Sequence, residues 1–219
     1  MIKRLWPVLL VCAIHIVVLM VYHYIRADIW ECDYSFSVFY GYADRMVEGC
    51  IPYRDFDSEY SPVALLLMLI PRLLTASEAH YQTIFAIQIL LFDLVGLLLI
   101  ADLAGRLGRS PLIAVLVYTA ALLTIGPIII ERFDLAPAVM VLFSLYAFLR
   151  GWHTTAWFVL GIAFLTKLYP IIIAPLFVLY LFHRGEYRRI GKGSLVFMGT
   201  VAIIVIPFLC LDFSGFMHS

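Results

Sequence analysis

Three short polar stretches carry the residues with which this chain could do chemistry. The longest runs from Asp28 to Pro62 and holds Asp28, Glu31, Asp33, Asp44, Glu48, Asp55, Asp57 and Glu59, more than half of the 15 acids in the sequence. The second, Glu131-Arg132-Phe133-Asp134, and the third, Thr166-Lys167-Leu168-Tyr169-Pro170, each break a long apolar run. Carboxylates can take protons or hold hydroxyls, and isolated cations can hold an anion. Asp33 has two compatible readings. As the residue ahead of a helix it would cap the first turn, at about 1 kcal/mol; as a base it would stand where a lipid-borne head group meets an aqueous acceptor. Lys167 either snorkels to the surface or binds an anion. Asp93 is a further isolated charge, between Phe92 and Leu94.

The elements that must position these groups follow from composition. Of 219 residues, 64% are hydrophobic and only 14% charged, against about 45–50% and about 25% in soluble domains. Both departures point to lipid as the solvent. Formal net charge is +0, which gives no reason to expect nucleic acid as a partner. Apolar runs recur at Leu5–Ile25, Pro62–Leu74, Thr83–Leu103, Leu112–Ile130, Leu135–Leu149, Ala156–Phe182 and Ser194–Leu211. In a bilayer such runs are helices, because lipid offers the backbone no other hydrogen-bond partner. The expectation is an all-α, polytopic transmembrane bundle of about seven or eight spans at about 20 residues each. It forms one membrane domain over the whole chain. The first run is too long for a signal-peptide core and reads as an uncleaved anchor, with Lys3 and Arg4 holding the N-terminus in the cytoplasm.

Between Tyr34 and Val47 the apolar residues Phe36, Phe39, Tyr40, Ala43 and Val47 fall at helical spacing. This predicts an amphipathic helix at the membrane interface, with Gly49 available as its terminator. One crossing from a cytoplasmic N-terminus puts the acidic loop outside. The basic run His183–Lys192 belongs inside. Two arrangements satisfy both. Either every run crosses once, or Pro62–Leu74 re-enters and Ala156–Phe182 splits at Pro170 into two helices. The second gathers Arg132, Asp134 and Lys167 on the side of the acidic loop and is preferred here. Cys32 and Cys50 share that loop and stand equally well as a disulfide or as free thiols. Histidines and cysteines lack metal-ligand spacing, and no phosphate-binding loop, dinucleotide fingerprint or nucleophile elbow is present.

Gly49, Pro52-Tyr53-Arg54-Asp55-Phe56 and Glu59-Tyr60-Ser61-Pro62 resemble a G-x-x-PYRDF-x-x-EYPP signature. Arg132-Phe133-Asp134-Leu135-Ala136-Pro137 is similar to an RFDxxP element, and Lys167-Leu168-Tyr169-Pro170 to a KLYP element. In this order they resemble glycosyltransferase family 87, polytopic mannosyltransferase-like enzymes of the glycosyltransferase-C superfamily. Ser61 departs from the proline of that ending. The resemblance implies inverting transfer of a sugar, mannose-like, from a polyprenyl-phosphate donor to a lipid or glycan acceptor, at the outer face of a bacterial inner membrane. It implies Asp33 as general base. Candidate substrate-binding residues are Arg54, Asp55, Glu59, Tyr60, Arg132, Asp134, Lys167 and Tyr169, with no nucleotide and no metal required. Family members are far longer, so the chain corresponds to an N-terminal part of that fold, with a second chain to complete it among the implied partners. A multi-span permease is the alternative, because intramembrane charges and proline-broken helices also mark transport pathways. A non-catalytic membrane subunit comes third.

Overall fold

The structure is a computed structural model that describes the backbone of residues 2–29 and 34–218 and the side chains of residues 6–25 and 36–217. Asp33 and Cys32 lie outside the described residues. Among the described residues, eleven α-helices and one 3-10 turn follow one another: α1 (Ile2–Ile29), α2 (Tyr34–Val47), α3 (Pro62–Leu74), α4 (Glu78–Arg106), α5 (Pro111–Ile125), α6 (Ile128–Glu131), α7 (Leu135–Leu149), α8 (His153–Thr166), the turn Tyr169–Ile173, α9 (Ala174–His183), α10 (Tyr187–Leu211) and α11 (Phe213–His218). Among the described residues no named strand occurs, as expected of a chain whose backbone must satisfy itself in lipid. Three helical stretches among the described residues are long and apolar enough to cross a membrane: Trp6–Ile25, Glu78–Arg106 and Tyr187–Leu211. The remaining apolar helices have 10–17 residues, about 15–26 Å at 1.5 Å per residue.

Proline and glycine place the breaks. Pro111 opens α5 behind Ser110, whose hydroxyl accepts from Ile113 N. Pro170 removes an amide from the long run Ala156–Phe182, and the chain there tightens into the 3-10 turn, so the run is two helices rather than one. Gly49, at φ +94, ends α2 as expected. The interfacial helix itself differs from its prediction in one respect. Phe36, Phe39 and Ala43 are buried against α3 and α4, whereas Val47 is 43% exposed. Cys50 is a free thiol, and Cys32, the partner considered for it, is not among the described residues.

The helices alternate in direction, so their connections collect at two ends. At one end lie α2, the loop 48–61, both ends of α3, and the turns before α7 and after α8. Ser61 Oγ donates to Thr166 O at 2.8 Å, Tyr40 OH donates to Ala76 O at 2.8 Å, and Arg72 reaches Asp44 at 2.8 Å. Both ends of helix α3 are thus held at this end of the bundle, by α8 and by α2. The opposite end gathers Arg106, Arg109, Arg150, Arg184, Arg188, Arg189 and Lys192 against Asp102 and Glu186.

Asp93 is explained by its partners. It is fully buried, as is His15, and the two meet at 2.7 Å across α1 and α4. Tyr118 OH donates to the other Asp93 oxygen at 2.6 Å, and His15 Nε2 lies 2.7 Å from Thr119 Oγ1. Thr119 has one hydroxyl hydrogen and gives it to Val115 O at 2.7 Å; His15 Nε2 must therefore donate. One proton remains between His15 Nδ1 and Asp93, wherever along that bond it sits, and the cluster carries no net charge. Removing one member leaves the others buried and unpaired, which costs about 3–5 kcal/mol. We expect Asp93→Ala to lower thermal stability in detergent by that order, with Asp93→Asn milder because an amide still accepts from Tyr118. Equal, unchanged melting of both variants would refute the clamp.

Candidate active site

The loop that precedes α3 is built by its own charges. Asp55 Oδ2 accepts from Ile51 N at 2.7 Å, while Arg54 holds both carboxylate oxygens at 2.8 Å. Tyr53 N donates to Phe56 O at 2.9 Å, and Tyr53 stands at φ +69, left-handed backbone that a bulky residue seldom adopts. Its ring compensates by packing edge-on against Phe208 and Phe216, and its hydroxyl donates to Tyr60 O at 2.6 Å. The Arg54 guanidinium, with the Ile51 amide, pushes the Asp55 carboxyl down to about 2. A carboxyl depressed on folding contributes stability above its unfolded value near 4, and that contribution is lost as pH falls through the folded one. Protection of the Ile51 amide against hydrogen exchange, relative to an unstructured amide at the same pH, should therefore persist down to about pH 4 and fall only toward about pH 2. Asp55→Asn should lower it at neutral pH.

Past the loop, Tyr60 enters an aromatic cluster. Phe39, Tyr42 and Phe133 lie 5.6–5.8 Å from its ring centroid. Burial, with Glu59 beside it, pushes the Tyr60 phenol up, so it stays protonated and able to donate. Ser61 has φ −67 and ψ 158 as the N-cap of α3. Its hydroxyl ties this loop to the last carbonyl of α8.

The other two motifs meet the loop from below. Arg132 and Lys167 are both extended, each just beyond the last turn of a helix, α6 and α8 respectively. Asp134 leads into α7 but its carboxylate caps no amide, so it is free to pair with Lys167, and does. The ammonium of Lys167 also lies 5.8 Å from the centroid of Phe133, a favourable cation–ring arrangement. These groups surround an open cavity of about 560 Å³, lined by Phe39, Glu59, Tyr60, Ser61, Arg132, Phe133, Asp134, Thr166, Lys167, Leu168 and Tyr169.

Six of the residues singled out in the sequence thus share one cavity: Glu59, Tyr60, Arg132, Asp134, Lys167 and Tyr169. Arg54 and Asp55 are not in its lining; they hold the loop that presents Glu59 and Tyr60. Phe133 and Leu168 were legible only as the apolar letters of their motifs, Thr166 only as the residue ahead of Lys167, and Phe39 only through helical periodicity. Arg132 and Asp134 border a second, apolar hollow of about 320 Å³ whose walls include Ile125, Ile128, Ile129 and Leu135. The lining holds two cations, two carboxylates and two phenols, a set able to bind an anionic group together with hydroxyls. Among the described residues no group of histidine, cysteine, aspartate and glutamate is placed to hold a metal ion.

A sequence model of glycosyltransferase family 87 matches residues 59–218. The chain belongs to this family. Neither the curated proteins nor the solved structures contain a significant match. The match to glycosyltransferase family 87 begins at Glu59 and takes in every predicted residue that lines the cavity, leaving Asp33, Arg54 and Asp55 upstream of it. As a member of glycosyltransferase family 87 the protein is a membrane-embedded glycosyltransferase.

Proposed function

We propose that this glycosyltransferase moves a hexose, mannose-like, from a polyprenyl-phosphate donor to a lipid or glycan acceptor at the outer face of a bacterial inner membrane, inverting the anomeric centre. The supporting observation is the position of Arg132 and Asp134 on the boundary between a polar cavity and an apolar hollow. A donor with an anionic phosphate on an apolar tail needs both environments side by side. In this reading the chain crosses the bilayer seven times, with α1, α4, α5, α7, α8, the 3-10 turn with α9, and α10 as the crossings. Helix α3 re-enters and α2 lies at the interface. The basic end then faces the cytoplasm by the positive-inside bias, and the cavity faces outward.

The reaction assigns each group a task. An acceptor hydroxyl oxygen attacks the anomeric carbon as the bond from that carbon to the phosphate oxygen breaks. Asp33 takes the hydroxyl proton, and polyprenyl phosphate departs with the bonding electrons. Arg132 and Lys167 stabilise the charge that grows on the phosphate, the kind of preorganised electrostatic help that accelerates group transfer most. Asp134 positions the ammonium of Lys167. Glu59, Tyr60 and Tyr169 hold sugar hydroxyls. Asp33 directly precedes α2 in sequence, and α2 contributes Phe39 to the cavity wall, which favours this assignment. The direct test incubates the purified full chain with polyprenyl phosphate carrying a labelled hexose and a lipid acceptor. Labelled glycolipid of inverted configuration is expected. Movement of label across a vesicle membrane without any new glycosidic bond would support a permease instead.

A further inference from the structure

The transfer cavity joins motifs that lie far apart in the chain, and one hydrogen bond ties two of them directly. Proline creates the need for it. In an uninterrupted α-helix the Thr166 carbonyl would accept from the amide four residues on. That residue is Pro170, which has no N–H. Thr166 is only 2% exposed, and a carbonyl left there without a donor would be costly. Ser61 Oγ supplies the donor, at 2.8 Å and from 105 residues earlier in the chain. Ser61 gives up its ordinary task to do so. It is the N-cap of α3, where a serine oxygen usually accepts from the first amides of its own helix; here no side-chain cap bond forms. Its backbone is fixed on both sides, since Tyr60 O accepts from Tyr53 OH at 2.6 Å and Ser61 O from Leu65 N at 3.1 Å. The hydroxyl is therefore presented from a rigid mount.

What it grips is the peptide unit that leads into Lys167. The amide of that unit, Lys167 N, donates to Ala163 O at 3.1 Å, and its carbonyl, Thr166 O, takes the Ser61 hydroxyl. Thr166 Oγ1 donates back to Ile162 O at 2.9 Å, so the residue ahead of the lysine is anchored to its own helix as well. Beyond this unit the chain leaves the helix at once, with Lys167 at φ −155 and ψ 146. A peptide plane held at both ends fixes where the Lys167 side chain starts and which way it sets out, toward Asp134 and the face of Phe133. Ser61 directly follows Tyr60 and lines the same cavity as Glu59, Tyr60 and Lys167. The bond thereby also sets the separation between the residues assigned to sugar hydroxyls and the ammonium assigned to the phosphate.

We infer that Ser61 is a positioning residue for sugar transfer: by holding the carbonyl of Thr166, its hydroxyl aims the ammonium of Lys167 at the departing phosphate. In this role it touches no reacting atom and acts through the lysine. The role rests on the reading of Lys167 as the group that stabilises the phosphate. Small displacements of a preorganised charge are felt strongly in the transition state, so a hydrogen bond to a backbone carbonyl behind the lysine is enough to matter for rate.

Ser61→Ala removes the hydroxyl and Ser61→Thr keeps it. Both are made in the full chain, Ser61→Ala also together with Lys167→Gln, and assayed with polyprenyl phosphate carrying a labelled hexose. Ser61→Ala should lower kcat about tenfold, the scale of one lost hydrogen bond that holds a reacting group in place, and leave the donor KM within about twofold. Ser61→Thr should recover most of that loss. Added to Lys167→Gln, Ser61→Ala should cost nothing further, because the group it positions is gone. The same loss in both backgrounds, or none in either, would overturn the inference. A second readout does not depend on transfer. The chain has three lysines, Lys3, Lys167 and Lys192, so carbon-13 lysine gives a simple spectrum in which Lys167→Gln assigns the signal of interest. Ser61→Ala should shift or broaden the Lys167 side-chain signal while Lys192 keeps its own, which also shows that the fold persists. An unmoved Lys167 signal would refute the role of Ser61 even in an active enzyme. A wild-type chain that transfers no hexose, yet whose Lys167 signal responds to Ser61→Ala, would fault the reading of the reaction and still support Ser61 as the holder of Lys167.

Discussion

Asp33→Asn is expected to lower kcat for sugar transfer by about 10²–10⁴-fold, the range for loss of a general base, with little change in KM for the donor. An amide is nearly isosteric with the carboxylate and still accepts a hydrogen bond, so a capping role at the start of α2 would survive and thermal stability should stay within about 1 kcal/mol. The two readings of Asp33 therefore separate cleanly. Activity at the wild-type level with the Asn variant would leave Asp33 as a cap. The base would then be Glu59, the acid of the cavity lining that is not paired with Lys167, and Glu59→Gln would show the loss instead. Burst measurements under single-turnover conditions distinguish slowed chemistry from slowed product release.

The second large effect should come from Lys167. Lys167→Gln removes the charge and keeps most of the volume; we expect kcat to fall about 10²–10³-fold, in keeping with loss of one preorganised electrostatic contact in the transition state. Folding should hardly notice, because the ion pair with Asp134 is about half exposed on both sides and such pairs contribute about 0–1 kcal/mol. Asp134→Asn should be the milder change, since it loosens the ammonium without removing it. A double variant should then be no worse than Lys167→Gln alone. Additive losses would mean that Asp134 touches the substrate itself. If Lys167→Gln raised KM alone, with kcat unchanged, the ammonium would serve ground-state binding rather than departure of the phosphate.

Much of this architecture could be read from the residues. Charge at bilayer depth is costly, so the isolated groups Arg132, Asp134 and Lys167 had to find one another or water, and they line one cavity. The break at Pro170 follows from a missing amide. What the sequence concealed is longer in range. Nothing local says that Asp93 is matched by His15 and Tyr118, because those partners lie on other helices, 78 and 25 residues away. Arg54 and Asp55 are candidates through the motif that resembles the family's; neighbouring in sequence, they also satisfy each other and brace the backbone of the loop. Ser61 looked like a mild lapse from the family ending, yet its hydroxyl stitches two motifs together. Phe39 could be assigned to an apolar face but not to a cavity wall, since periodicity gives a direction and not a destination.

The cluster around Asp93 has an electrical consequence. Moving one elementary charge through a bilayer held at 100 mV involves about 2.3 kcal/mol, enough to tilt a balance between two helix arrangements. A histidine and an aspartate that together hold a single shared hydrogen ion present nothing for that voltage to pull on. The three helices they fasten can keep their places whether the membrane is energised or not.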